Sequence, residues 1–402
     1  MEVILNSLSI LFRMLLSGEI CGIVLQNSRL ITDISLKYVA FVPTYPDMRK
    51  NTNRISSAKN IRTKLLWSAL FLLIAAATIG TVVSQGKTFS FDSFVLYIES
   101  ASKGWMIAAA ACMLGFILFE GEAIVTVCHA FGYSASRKRG FLYSAADIYF
   151  SAITPSATGG QPACAYFMIK DGIPGSVTTV ALLINLTMYT VSILALGLAT
   201  LFIRPDLFLS FSLLSKILVL LGYLAQAFLT GAFLLLLLKN DFLHGICRKT
   251  LHSLCKIRLL RNETEKQQKL DDYMREYAMY AQMIREHKKM LLKVFLLNLL
   301  QRISVISVPM FVFLASGEEL IEAAEIWAIQ CYAVIGSNTV PIPGAMGVSD
   351  YIMLDGFSKV LPLYDVIDFE LLSRSLSFYI CVLLCGITVL AQYWMQRKRE
   401  KE

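Results

Sequence analysis

Two short stretches rich in proline and glycine interrupt apolar sequence, and their residue types suit the binding of an anion. The first combines helix-breaking prolines and permissive glycines with uncharged hydrogen-bonding groups. Its candidate headgroup-binding residues are Thr154, Pro155, Ser156, Thr158, Gly159, Gly160 and Gln161. A helix that restarts near Gln161 or Pro162 would direct free backbone N–H groups and a positive dipole end at the ligand. A phosphodiester headgroup is the anion expected inside a membrane.

The second stretch has the same character and lies in the other half of the chain. Its candidate residues are Pro341, Pro343, Gly344, Gly347 and Asp350. Backbone that is not helical survives at membrane depth only where protein or a water-filled cavity satisfies its N–H and C=O groups. We therefore expect both stretches to line a site.

Ionisable side chains within apolar sequence form the other group of candidates, because charge is costly in lipid and usually marks function. Arg302 lies about halfway along an apolar segment, and its planar guanidinium suits a phosphate. Arg374 and Asp147 are further candidates for headgroup binding, and Glu120 is a candidate partner for a cationic amine. A structural ion pair or a side chain that snorkels to the interface is the alternative for each of them and stays open.

Composition indicates that a lipid bilayer surrounds these residues. Of the 402 residues, 56% are hydrophobic and 16% are charged, whereas soluble domains average about 45–50% and about 25%. A helix needs roughly 20 apolar residues to cross a bilayer. Segments of this kind are predicted at 65–84, 105–131, 177–203, 211–238, 291–315 and 371–395. The sequence thus predicts an all-α polytopic membrane protein.

Composition also excludes several classes of function. The net charge of +8 comes from basic residues that cluster between apolar segments, as orientation signals do, so we expect no nucleic-acid partner. The nine cysteines form no CxxC pair, so neither a metal site nor a disulfide framework is indicated. The sequence has no phosphate-binding P-loop. We predict no cofactor and no catalytic residue.

The distribution of basic residues predicts the topology. Cytoplasmic segments are enriched in Lys and Arg. Six basic residues and no acidic one occupy 48–64, and twelve basic residues face seven acidic ones in 239–290. The acidic loop 316–325 is predicted outside. Both ends of 141–176 then lie in the cytoplasm and both ends of 326–361 lie outside, so each would be a re-entrant hairpin.

Two broken hairpins that enter from opposite faces indicate an inverted-repeat helical bundle with a site near the bilayer midplane. Ordinary surface loops are the alternative. The predicted organisation is an N-terminal extension and basic flank at 1–64, a first membrane half at 65–238, a cytoplasmic amphipathic segment at 239–290, a second membrane half at 291–396, and a basic cytoplasmic tail at 397–402.

The motifs resemble a known family. The residues that carry the resemblance are Thr154-Pro-Ser-Ala-Thr-Gly-Gly-Gln-Pro162, Ala165-Tyr166, Lys170-Asp171-Gly172-Ile173, Pro341-Ile-Pro-Gly-Ala-Met-Gly-Val-Ser-Asp350 and Arg374. They are similar to the flippase-like membrane region of the bacterial lysylphosphatidylglycerol synthases, also called multiple peptide resistance factors, over roughly 65–395. Where that family tends to have paired glycines in the second break, this chain has Gly344-Ala345.

The resemblance implies a multi-pass protein of the bacterial cytoplasmic membrane with its C-terminus in the cytoplasm. Such a protein would move anionic phosphatidylglycerol or its aminoacyl form to the outer leaflet and so repel cationic antimicrobial peptides. Full-length members carry a cytoplasmic domain that takes lysine from lysyl-tRNA, and we expect no room for it before Glu402. The alternatives are a lysyltransferase, or a membrane anchor for a separate cytoplasmic synthase. Homo-oligomerisation stays open.

Overall fold

The computed structural model describes residues 99–399, and short gaps interrupt this range. The gaps are 155–156, 158, 239–243, 246–247, 250–266, 269–270, 273, 276–277, 280–281, 283, 285, 339, 341–346 and 362–365. Every regular element in the described part of the chain is a helix, which confirms the all-α prediction. The N-terminal extension and the segment predicted to span at 65–84 lie outside the described residues.

Most of the described helices lie in two stretches of the chain, 103–238 and 288–399. In chain order they are α1 (Lys103–Ala130), α2 (Arg137–Ile153), α3 (Gly160–Lys170), α4 (Gly175–Ile203), α5 (Pro205–Ser210), α6 (Leu213–Leu238), α7 (Lys288–Ala315), α8 (Leu320–Ser337), α9 (Val348–Phe357), α10 (Val366–Arg374) and α11 (Cys381–Arg399). A π-helical turn, Ser375–Ile380, joins α10 to α11.

Six segments of the described chain are long and apolar enough to cross a bilayer. They are Lys103–Ala130, Gly175–Ile203, Leu213–Leu235, Lys288–Ala315, Leu320–Ser337 and Val366–Met395. The protein is therefore a multi-pass membrane protein, as composition predicts. One of these segments differs from the expectation. A loop was expected at 316–325, but α8 begins within it, because Glu319 lies at the N-cap and acidic Glu322 suits the first turn of a helix.

Both predicted breaks separate two packed helices. Thr154–Gly159 divides α2 from α3, and Asn338–Gly347 divides α8 from α9. The partners in each hairpin pack against each other. The 11 residues of α3 and the 10 of α9 extend only about 15–17 Å, about half of a 30 Å hydrocarbon core. This length suits a re-entrant hairpin. Entry from opposite faces and an inverted repeat remain predictions.

Close contacts between backbones hold the bundle together, because lipid supplies no hydrophobic force between helices and packing must do so. α7 packs along the length of α1. α1 meets α2 where Gly121 faces Gly140. A Cβ atom on Gly121 would lie 2.5 Å from the carbonyl carbon and oxygen of Gly140. At this crossing only glycine lets the two backbones approach.

Replacing Gly121 by alanine is therefore expected to lower stability by about 1–3 kcal/mol, the usual cost of overpacking. Gly231 is the matched control, since it also lies within a helix but has no atom within 4 Å of its Cβ position. Alanine there should be neutral or slightly stabilising. Thermal unfolding of the detergent-solubilised protein measures both. Equal melting temperatures for the two variants would contradict the role of this crossing.

Candidate functional site

Five helices bring polar side chains to one buried place beside the first break. The contributing residues are Glu120 of α1, Asp147 of α2, Gln161 of α3, Tyr189 of α4 and Arg302 of α7, called here the Arg302 cluster. Glu120, Asp147 and Arg302 are each no more than 7% exposed. Three of the ionisable candidates from widely separated parts of the sequence thus belong to one cluster.

Local structure at the first break positions the start of α3. The Thr154 hydroxyl donates to the Phe150 carbonyl at 2.6 Å and accepts the Gly159 N–H at 2.8 Å, so it closes the loop. A Cβ atom on Gly160 would collide with the side chains of Asp147 and Ser151, so glycine is required there. Thr154, Gly159 and Gly160 therefore shape the site. Pro155, Ser156 and Thr158 lie outside the described residues.

Gln161 and Pro162 lie in the first turn of α3, where the sequence predicted that a helix restarts. The Gln161 amide donates to Asp147 Oδ2 at 2.7 Å. This bond ties α3 to α2 across the break. Pro162 removes one backbone donor from the first turn, where a helix has no internal acceptor for it.

Two carboxyl groups face each other in the Arg302 cluster. Glu120 Oε2 accepts from the Ser144 hydroxyl at 2.9 Å and from Gln301 Nε2 at 3.0 Å. Asp147 accepts from Gln161 and from the Ser151 hydroxyl at 3.2 Å. The two carboxyl groups interact with each other and with the charge of Arg302. Two carboxyl groups this close and away from water cannot both stay ionised unless a proton or another cation lies between or beside them.

The guanidinium of Arg302 is held by aromatic rings instead of by a carboxylate. Its central carbon lies 4.4 Å from the ring centroid of Tyr189 and 4.9 Å from that of Phe116. Nη1 lies 3.5 Å from the Tyr189 hydroxyl, at the limit of a hydrogen bond. Nε has no hydrogen-bond partner. Within the described part of the chain Arg302 forms no ion pair, so it keeps donors free for a ligand.

Gln301, the neighbour of Arg302 on α7, also has an unused polar atom. Its Oε1 is buried without a hydrogen-bond partner, like Arg302 Nε. Buried polar atoms are nearly always paired, and exceptions call for an explanation. Consecutive residues of α7 thus carry one buried acceptor and one buried donor without a partner among the described residues, so this part of α7 is a candidate contact for a ligand.

Tyr189 connects the Arg302 cluster to the second break. Its hydroxyl donates to Asn338 Oδ1 at 2.7 Å, and the Asn338 amide donates to Gln226 Oε1 at 3.0 Å. Asn338 ends α8 just before the second break. Sequence analysis missed Tyr189, Asn338, Gln226 and Gln301. For Asn338, Gln226 and Gln301 the available signal was a side-chain amide within, or at the end of, an apolar run; Tyr189 gave no such signal.

The second break has its own ionic group, called here the Arg374 cluster, which consists of Asp350, Glu370 and Arg374. Arg374 donates through Nε to Asp350 Oδ1 at 2.6 Å and through Nη2 to the same oxygen. Asp350 Oδ2 accepts the Gly347 N–H at 2.8 Å and so caps α9. Gly347 has a φ of 82°, which favours glycine.

The structure therefore separates the predicted residues into two groups. Hydrogen bonds hold Glu120, Asp147 and Gln161 near Arg302. Arg374 instead forms an ion pair with Asp350, which was the alternative interpretation of Arg374. A direct contact of Arg374 or Asp350 with a headgroup remains a prediction. Pro341, Pro343 and Gly344 lie outside the described residues.

Comparison with known proteins gives one match, to a family model that covers most of the chain. The family model described as lysylphosphatidylglycerol synthase TM region matches residues 65–385. No curated protein matches, and no solved structure matches.

Removing the cation of the Arg374 cluster is expected to destabilise the protein. Arg374→Gln leaves the buried carboxyl groups of Asp350 and Glu370 without a counter-charge, which typically costs about 3–5 kcal/mol. In Asp350→Asn/Arg374→Gln one of these carboxyl groups is also gone, so part of the loss should be recovered. Melting temperatures of the purified variants test this. A double variant less stable than R374Q would contradict the pairing.

Proposed function

The chain belongs to the family of the lysylphosphatidylglycerol synthase transmembrane region, and from that premise we propose that it moves a phosphatidylglycerol-derived lipid between the leaflets of a bilayer. Lysylphosphatidylglycerol is the proposed lipid. The family supports a membrane role related to this lipid. The unpaired donor of Arg302 beside the unpaired acceptor of Gln301 is the observation that supports binding of its headgroup.

The charges of the lipid and of the Arg302 cluster are complementary. The headgroup carries one negative phosphodiester and two positive amines on its lysyl group. The cluster offers the opposite set, one guanidinium and the two carboxyl groups of Glu120 and Asp147. We propose that Arg302 binds the phosphate and that Glu120, Asp147 and Gln301 Oε1 accept from an amine. A guanidinium binds phosphate through directed hydrogen bonds, which would fix the orientation of the headgroup.

Burial by helices on several sides supports transport of a headgroup through the protein. A headgroup that crosses lipid needs a polar site shielded from the acyl chains, and transporters place such sites between broken helices. The cluster lies beside the first break, and the hydrogen bond between Tyr189 and Asn338 connects it to the second. We propose that the two hairpins move relative to each other around the headgroup, while the acyl chains stay in lipid.

The proposed setting is the cytoplasmic membrane of a bacterium, with the C-terminus in the cytoplasm. Lysylated lipid in the outer leaflet makes the surface less anionic, so cationic antimicrobial peptides would bind it less. Asp350, Arg374 and the residues of the second break would contact the headgroup during the movement. A separate cytoplasmic synthase and a second copy of the chain are proposed as partners.

Lysyl transfer from lysyl-tRNA to phosphatidylglycerol is the second candidate, because the family description itself names a synthase. The two functions differ in the chemical product. A translocase changes only the leaflet in which a lipid lies, whereas a transferase creates a new lipid.

Arg302→Gln should slow lipid movement by about ten- to a hundredfold, since a charge-assisted hydrogen bond contributes about 1.5–3 kcal/mol. Proteoliposomes that contain lysylphosphatidylglycerol with a fluorescent acyl chain, bleached from outside by dithionite, measure the rate. Arg302→Lys keeps the charge but loses the planar donors and should lie in between. Arg204→Gln is the matched control, because Arg204 is paired with Asp206 and Glu325.

A wild-type rate in R302Q would rule out the proposed site. Lipid extracts from cells that express the chain alone separate the two candidate functions. New lysylphosphatidylglycerol in those extracts would favour the transferase over the translocase.

Glu120→Gln and Asp147→Asn should change lipid selectivity more than overall activity. Removing a carboxyl group weakens binding of the lysyl amines but leaves the phosphate site of Arg302 in place. Movement of lysylphosphatidylglycerol should therefore fall several-fold more than that of unmodified phosphatidylglycerol in the same vesicles. Asp206→Asn, at an exposed carboxylate, serves as control. An equal loss for both lipids would argue against an amine site.

A further inference from the structure

Glu370 in the Arg374 cluster has no role in the site described so far. It lies on α10, one helical turn before Arg374, and is 7% exposed. Its Oε1 atom has no hydrogen-bond partner and lies 3.6 Å from Arg374 Nε. A carboxyl group this deeply buried within a membrane-spanning segment is expected to have a partner or a function.

Asp350 accepts the hydrogen bonds that Arg374 donates within the described chain. Arg374 directs both Nε and Nη2 to Asp350 Oδ1, and Asp350 Oδ2 has the Gly347 N–H as a further donor. One guanidinium therefore faces two carboxyl groups, and its hydrogen bonds go to only one of them. Glu370 is left with a long ion-pair contact to Arg374 and a side-chain contact with Asp350.

Among the described residues no second cation faces Glu370. α7, α9 and the π-helical turn pack against α10. The charged or titratable groups near Glu370 within the described chain are Asp350 of α9, Arg374 on its own helix, and Tyr379 of the π-helical turn. From α7, Phe313 packs its ring against Phe369 at 5.9 Å. With every group ionised, the Arg374 cluster has one negative charge in excess, in a place where lipid and aromatic rings replace water.

We propose that Glu370 is a proton-binding site that couples the movement of lipid to a proton gradient across the membrane. The coupling rests on the proposed function, whereas proton binding at Glu370 does not. With its proton bound, Glu370 is neutral and Arg374 donates its hydrogen bonds to Asp350. This pairing of Arg374 with Asp350 is the one in the structure. When the proton leaves, the Glu370 carboxylate competes for Arg374.

This competition would reach the second hairpin through Asp350. Asp350 caps the N-terminus of α9 at Gly347, so a shift of Arg374 toward Glu370 loosens the end of the second break. The π-helical turn Ser375–Ile380 directly follows Arg374, and such turns are frequent at functional sites. The only covalent bond that forms and breaks is the O–H bond of Glu370, because the proton arrives from water on one side and leaves to water on the other.

A pH gradient across proteoliposomes tests the coupling in the full chain. The probe is phosphatidylglycerol with a fluorescent acyl chain, and potassium with valinomycin holds the membrane potential constant. In the wild type the share of probe in the outer leaflet should shift with the sign of the gradient. In Glu370→Gln the share should stay the same for either sign. Asp355→Asn is the matched control, since this carboxyl group of α9 accepts the Ser212 N–H at 2.8 Å.

Two outcomes overturn the coupling. One is a shift in E370Q equal to that of the wild type. The other is a wild-type shift that follows a sodium gradient and ignores the pH gradient, which would assign the site to a different cation.

Infrared spectroscopy of the purified protein tests the proton site without any lipid movement. The difference spectrum between acidic and alkaline buffer should show the C=O stretch of a protonated buried carboxyl group in the wild type, D355N and R302Q. Glu120 and Asp147 are further buried carboxyl groups, so the test is the difference between variants. E370Q should lose only the component of this band that comes from Glu370, and Glu370→Asp should keep that component at a shifted frequency, which covers the case in which E370Q folds poorly. An unchanged band in E370Q refutes the proton site. Unimpaired lipid movement in R302Q would instead refute the headgroup site and leave the infrared result standing.

Discussion

The cost of placing charge in lipid is the constraint on which the described structure depends. A guanidinium or carboxylate away from water must find a counter-charge, a ring face or a set of hydrogen bonds within the protein. Arg374 finds a carboxylate in Asp350. Arg302 packs against the ring faces of Tyr189 and Phe116, which ease the cost of burying a cation, while its Nε has no hydrogen-bond partner among the described residues.

The two ionic clusters contain the same set of charged groups, but these groups are paired differently. Each contains one guanidinium and two carboxyl groups. In the Arg302 cluster, hydroxyls and amides donate hydrogen bonds to the carboxyl groups. The guanidinium there forms no ion pair within the described chain. In the Arg374 cluster the guanidinium donates its hydrogen bonds to Asp350, and Glu370 accepts none from it within the described chain. The first arrangement suits a ligand with charges of both signs, and the second suits a single small cation.

Glycine and helix-breaking residues allow the close backbone packing that brings these charged side chains together. Gly121 and Gly140 let α1 and α2 approach closely, which brings Glu120 and Asp147 side by side. Gly160 leaves room for the Asp147 side chain at the start of α3. The breaks thus serve as the means by which short helices present side chains at membrane depth.

The sequence alone determined the helical membrane class and the position of both breaks, because hydrophobic length and helix-breaking residues act locally. It also identified Arg302, Asp147, Glu120, Asp350 and Arg374 as notable, since charge within apolar sequence is visible without a fold. Which charges pair was decided only by tertiary structure. Arg374 and Asp350 are 24 positions apart and Tyr189 and Asn338 are 149 apart, and such contacts depend on how each helix is rotated and packed. Helix packing therefore left Arg302 outside the ion pairs of the described chain and paired Arg374 with Asp350.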